Sequence, residues 1–75
     1  MNLYLVNSLF HGYSCFVFDS TRNKAKYIVS REFDDEYIDM RCFTLVKGLD
    51  VPAMIVTCSD DDGYDIVKSF GYEYT

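Results

Sequence analysis

The stretch SDDDGYD, Ser59 to Asp65, sets four carboxylates in seven residues. Calcium loops use such runs, but an EF-hand-type loop alternates its acids around a central glycine and closes on a late glutamate. Here Asp60, Asp61 and Asp62 are consecutive, Gly63 comes too early and no late Glu follows. What remains is the weak calcium binding of a flexible acid cluster. A helix start is the plainer use. Ser59 can cap the first amides, and a carboxylate in the first turn is worth about 0.3–1 kcal/mol. That leaves Asp61, Asp62 and Asp65 beyond what a cap requires. The third use is as a contact surface. A second acidic stretch holds Glu32, Asp34, Asp35, Glu36 and Asp39. If the fold brings the two together, they form a negative surface like a short run of phosphates, suited to a Lys/Arg-lined groove. Tyr37 and Tyr64 lie inside the clusters and are the expected aromatic anchors. The expected partner-binding set is therefore Asp34, Asp35, Glu36, Tyr37, Asp39, Asp60, Asp61, Asp62, Tyr64 and Asp65. The competing reading is a solvated acidic surface that keeps a small aromatic-rich domain soluble.

Other chemistry-bearing residues are fewer. His11 and Cys15 form H-x3-C, half of a metal site or a Cys–His nucleophile pair, but a zinc site needs four ligands at recognisable spacing. Cys42 and Cys58 fall in apolar runs, where a thiol acts as a small hydrophobe. The three cysteines are odd in number, widely spaced and without CxxC, which fits a reducing compartment better than a disulfide framework. Arg22, Lys24 and Lys26 lie close together without a glycine-rich phosphate loop, and read as a solvated helix face or as a counterpart for the acidic patch of a second copy. No catalytic residue, metal ligand set or cofactor is assigned.

Charge narrows the partners. The net charge is −5. Residues 1–31 carry Arg22, Lys24, Lys26 and Arg31 against Asp19, a balance of +3, and residues 32–75 carry Arg41, Lys47 and Lys68 against eleven acids, a balance of −8. The acidic half repels duplex nucleic acid and attracts basic proteins. No basic, apolar leader opens the sequence, and no apolar run approaches the length of a membrane span. The expectation is a soluble, cytoplasmic protein that binds neither membrane nor nucleic acid directly.

These residues must be positioned by a single domain spanning residues 1–75, since 75 residues suffice for one small core and 49% of them are hydrophobic. LYLV (3–6) and CFVFD (15–19) read as strands around a turn-rich segment. The stretch from Ser20 to Phe33 reads as a helix capped by Ser20 or Thr21, with Ala25, Ile28, Val29 and, at its end, Phe33 on one inward face. Residues 37–46 alternate and read as a long strand. KGLDVP is a turn, and AMIVTC (53–58) reads as a central strand. A capped helix follows Ser59 and ends at Gly71, with YEYT as a tail. The order is β-β-α-β-β-α, an α+β domain with one antiparallel sheet and two helices. A faint internal echo, offset by about 40 residues, would make each half strand–strand–helix. The simplest packing puts both helices on one face and leaves Tyr4, Val6, Phe43 or Leu45 on an open one, which would invite a homodimer.

The pieces Leu3-Tyr4-Leu5-Val6, Gly12-Tyr13, Phe16-Val17-Phe18 and the helix from Ser20 resemble, over the first half of the chain, small phage-type proteins with a Leu-Tyr-Leu strand, a Gly-Tyr loop and a Val-rich strand entering a helix. The size and acidity are also similar to those of phage anti-CRISPR proteins and other anti-defence inhibitors. That resemblance implies a non-enzymatic inhibitor acting in the host cytoplasm, which blocks an effector's nucleic-acid site with an acidic surface. The alternatives are a dimeric accessory module pairing through the sheet face and a small thiol- or metal-dependent enzyme.

Overall fold

The computed structural model describes residues 1–71. Strands β1 (Asn2–Ser8) and β2 (Ser14–Asp19) form an antiparallel hairpin around residues 9–13. Side chains alternate across a strand, so the register gives each face its own apolar set. Tyr4 lies opposite Val17 and Val6 opposite Cys15 on one face; Leu3 lies opposite Phe18 and Leu5 opposite Phe16 on the other. Both faces of this hairpin need cover. Strand β3 (Met40–Val46) pairs with β1 and strand β4 (Met54–Thr57) with β2, giving an antiparallel sheet of order β3-β1-β2-β4.

Helix α1 (Arg22–Glu32) covers the first face, with Ala25 and Val29 buried among Tyr4, Val6, Cys15, Val17 and Met40. Helix α2 (Asp60–Ser69) covers the second, with Val67 buried among Leu3, Phe16 and Phe18. The α+β class and element order are as the sequence predicts. The packing of both helices on one face is not. One helix cannot screen two apolar faces of a central hairpin, so the helices divide them and the sheet becomes the middle layer. Tyr4 and Val6, expected on an open face, are buried under α1.

Three further expectations change. Residues Tyr37–Asp39 form a 3-10 turn ahead of β3 instead of its first residues. Strand β4 is a short edge strand, not a central one; its apolar run is used because α1 and α2 overhang that edge from opposite sides. The two halves also differ. β1 and β2 are neighbours, whereas β3 and β4 occupy opposite edges of the sheet. Residues 47–53 make the crossing between those edges. Leu49 and Val51 pack into the α2-side core, and the Leu49 amide donates to the Met1 carbonyl at 2.7 Å. Residues 72–75, including the expected YEYT tail, lie outside the described residues.

The helix ends follow local chemistry. Thr21 Oγ1 accepts from the Lys24 amide at 3.2 Å and Ser59 Oγ from the Asp62 amide at 3.4 Å, one capping bond for each helix. Asp34 ends α1 in the left-handed region at φ 50°, which lets the Asp35 amide reach the Ser30 carbonyl at 2.9 Å. Cys15 and Cys58 form a disulfide just beyond the Phe16–Thr57 pair, correcting the reading of Cys15 and Cys58 as free thiols; Cys42 remains a free cysteine. A 43-residue separation hid a pair that adjacent antiparallel strands bring face to face.

Candidate functional site

The antiparallel path gathers the ends of β1 and β4, the starts of β2 and β3, the end of α1 and the start of α2 at one end of the sheet. Both acidic stretches therefore lie at that end, one on the α1 side and one on the α2 side. At its centre is Asp35, whose carboxylate is only 2% exposed. Ser8 Oγ donates to it at 2.6 Å, the Tyr13 hydroxyl at 2.9 Å and the Glu36 amide at 2.8 Å. His11 Nε2 lies 3.3 Å from its other side. The Ser8 bond, with those from Tyr13 and Glu36 and the nearby His11, holds the Asp35 carboxyl below its ordinary pKa against the opposing effect of burial. Burial, with the hydrogen bond and charge of Asp35, pushes Tyr13 up to about 12.

A serine, a histidine and an aspartate in contact suggest a hydrolase, but their order does not support one. Ser8 donates to the carboxylate, not to the imidazole, and Ser8 is itself buried. In a nucleophilic relay the histidine sits between serine and aspartate. Here the aspartate is the hub, fastening loop 9–13 to the end of α1. His11 meets Asp35 rather than Cys15, and Cys15 is bonded to Cys58, so the Cys–His pair that the H-x3-C spacing left open does not form. The free thiol, Cys42, is pushed up to about 11 by burial, with Arg22 and Lys26 opposing. Among the described residues, no group of three or more His, Cys, Asp or Glu side chains is placed to hold a metal ion. Among the same residues, no helix is long and apolar enough to cross a membrane.

The predicted contact residues divide. Asp34, Glu36, Tyr37, Asp60, Asp61, Asp62, Tyr64 and Asp65 are exposed, and Asp39 is half-buried. Asp35 is turned inward and is removed from the contact set, because its carboxylate satisfies the groups around it. Asp60, Asp61 and Asp62 form the first turn of α2. Gly63 is buried against Phe16, where a Cβ would meet the ring, so the glycine in SDDDGYD serves close packing of α2 on the sheet. Tyr64 meets Phe16 edge-on at 6.3 Å between ring centres. Tyr37 has Lys26 over its ring at 4.4 Å and donates to Asn23 Oδ1 at 2.8 Å.

Three apolar residues were missed by sequence reasoning. Leu9 is 58% exposed, Phe10 78% and Ile38 84%. The Leu9 amide donates to the Asp39 carbonyl at 3.0 Å, continuing the β1–β3 pairing past Ser8 and Met40 and setting residues 9–10 beside 38–39. The signal was present: a Leu-Phe pair inside an otherwise polar turn, and an isoleucine between acids. The result is an apolar tip of Leu9, Phe10 and Ile38 at the end of the sheet that also carries Asp34, Glu36 and Asp39. No family model, curated protein or solved structure matches the chain.

Proposed function

We propose that this protein is a non-enzymatic binding module that docks this end of the sheet onto a basic surface of another protein. The supporting observation is a large exposed apolar tip (Leu9, Phe10, Ile38) at the same end of the sheet as the acids Asp34, Glu36 and Asp39. Side chains this apolar are costly to leave in water, and a partner that covers them gains burial energy. The acids select a partner with lysines or arginines around an apolar pocket. Asp60, Asp61, Asp62 and Asp65 lie at the same end but on the α2 side of the sheet, opposite α1, and add to the negative field of that end. A nucleic-acid-binding effector offers such a basic surface, and occupying its groove would inhibit it without chemistry. In this reading the protein is an anti-defence type of inhibitor that works in the cytoplasm, the host's if it is phage-encoded, where reducing conditions would hold Cys15 and Cys58 as thiols rather than as the disulfide seen here.

The test is capture of a partner from host lysate treated with nuclease, followed by competition between this protein and nucleic acid for the purified partner. The expected result is one nuclease-resistant partner whose nucleic-acid binding is lost on complex formation, and whose capture fails with Phe10→Ser or with Asp34→Lys combined with Glu36→Lys. Capture that survives both changes would sink the proposal.

A further inference from the structure

The outer side of α1 carries a second feature, distant in chemistry from the acidic end. Asn23, Lys24, Tyr27 and Tyr37 line an open groove of about 530 Å³ whose walls are almost wholly apolar. Tyr27 is 55% exposed and Tyr37 37%. Each ring already meets one cation. Lys26 Nζ lies 4.4 Å from the centre of the Tyr37 ring, and the Arg31 guanidinium 5.6 Å from that of Tyr27. Tyr37 is braced by its bond to Asn23 Oδ1. The groove therefore presents aromatic carbon beside Lys24, with Lys26 over one ring and Arg31 over the other, and with Glu36 as the acid adjoining Tyr37 in the chain. Asp19 and Glu32 belong to an adjoining hollow that shares Lys24, Tyr27 and Arg31, and Asp19 is buried with its Oδ1 accepting from the Ser20 amide at 2.7 Å.

This combination selects its ligand by elimination. A cationic ligand is repelled by three positive side chains. A purely aliphatic one leaves their charge unused. A flat ring with a flanking negative charge satisfies both features, and a nucleobase with its phosphate has that shape. Against the expectation from net charge that the protein binds no nucleic acid directly, we infer that this groove holds a short segment of single-stranded nucleic acid, a base stacking on the tyrosine rings and its phosphates meeting Lys24 and Arg31. Duplex nucleic acid is excluded, because its bases are already stacked and its dense charge would also meet the acidic stretches. A single strand can lie along α1 alone, and ionic screening over about 8 Å at physiological salt separates that face from acids farther off. This inference does not rest on the proposed protein contact: the two share Tyr37, but the variants that test them alter other side chains, so each fails or succeeds separately.

The test is fluorescence anisotropy with a labelled single-stranded dodecanucleotide, DNA and RNA, compared with the same sequence as duplex, with a mononucleotide and with a glutamate-tyrosine peptide. Saturable binding of the single strand is expected, with the duplex and the mononucleotide much weaker. Affinity should fall about sevenfold between 50 and 200 mM salt if two phosphates are engaged. Tyr27→Ala should weaken it about tenfold, Tyr27→Phe should retain it, and Lys24→Glu should abolish most of it. Tyr27 and Lys24 are exposed, so unchanged thermal melts should accompany these losses. The inference is overturned if the single strand does not bind, if the duplex or mononucleotide binds as tightly, if the peptide binds in its place, or if Tyr27→Ala with Lys24→Glu leaves binding intact.

Discussion

Asp35 accepts from Ser8, Tyr13 and the Glu36 amide, and each of those bonds favours its charged form. Because its pKa is lowered by folding, its contribution to stability is present above the ordinary carboxylate range and is lost as pH falls through the lowered value. Asp35→Asn should therefore be less stable than the parent at pH 7, and the difference should shrink on acidification; thermal melts at neutral and acid pH measure both. Tyr13 works in the opposite direction. Its pKa is raised from 10.0 to about 12, so its contribution is complete below pH 10 and is lost as pH rises through about 12. In an alkaline titration followed at 295 nm, Tyr13→Phe should remove a late-ionising component. Cys42, raised from 9.0 to about 11, should carry roughly a hundredfold less thiolate near pH 8 than an ordinary cysteine and alkylate correspondingly slowly in the folded protein. Rapid native-state labelling of Cys42 would contradict the packing of α1 over β3.

At the scale of elements, the contact of Gly63 with Phe16 decides how closely α2 can approach the sheet. Gly→Ala inside a helix ordinarily gains about 0.5–1 kcal/mol, but here the added Cβ meets a ring that is 1% exposed. Overpacking of this kind costs about 1–3 kcal/mol, so Gly63→Ala should destabilise in urea unfolding, and pairing it with Phe16→Leu should recover part of the loss. The disulfide acts on the neighbouring connection. Closing a 43-residue separation stabilises by up to about 4 kcal/mol in the chain-entropy treatment. Cys58→Ser should lower the stability of the oxidised protein by up to that amount and change little once reductant is present. These same contacts mark what the sequence could disclose. The Ser59 cap, a cap at Ser20 or Thr21, the inward stripe of Ala25 and Val29, and the strand segments were legible because each depends on residues within a turn or two. The division of helices between faces was not, because it depends on Leu3 and Phe16 pointing opposite to Tyr4 and Val6 in a hairpin whose register is set by pairing. Asp35 looked like surface charge for the same reason: Ser8, which turns it inward, is 27 residues away.

For the whole molecule, charge and apolar surface make separable contributions to association. The molecule measures 32 × 22 × 16 Å, so a cluster of acids at one end gives it a lopsided field that acts beyond contact distance. Such a field orients an approaching basic partner and raises the association rate, while buried apolar contact mainly slows dissociation. The acids of α2 and the tip formed by Leu9, Phe10 and Ile38 should therefore fail in different ways when altered. Reversing Asp60, Asp61 and Asp62 to lysine should lower the association rate with the captured partner about tenfold or more and flatten its dependence on salt, leaving dissociation nearly unchanged. Replacing Phe10 or Ile38 by serine should leave the association rate and its salt dependence intact and speed dissociation instead. Both sets of residues are exposed, but lysines in the first turn of α2 oppose the helix dipole by about 0.3–1 kcal/mol each, so thermal melts that show the variant folded accompany the rate measurements. Surface plasmon resonance at several ionic strengths reads the two rates directly. If the α2 reversals altered only dissociation, those acids would be local contacts and the steering role would be wrong. If they altered neither rate, Asp60–Asp62 would serve α2 alone, and the docking surface would contract to the apolar tip and the acids Asp34, Glu36 and Asp39 beside it.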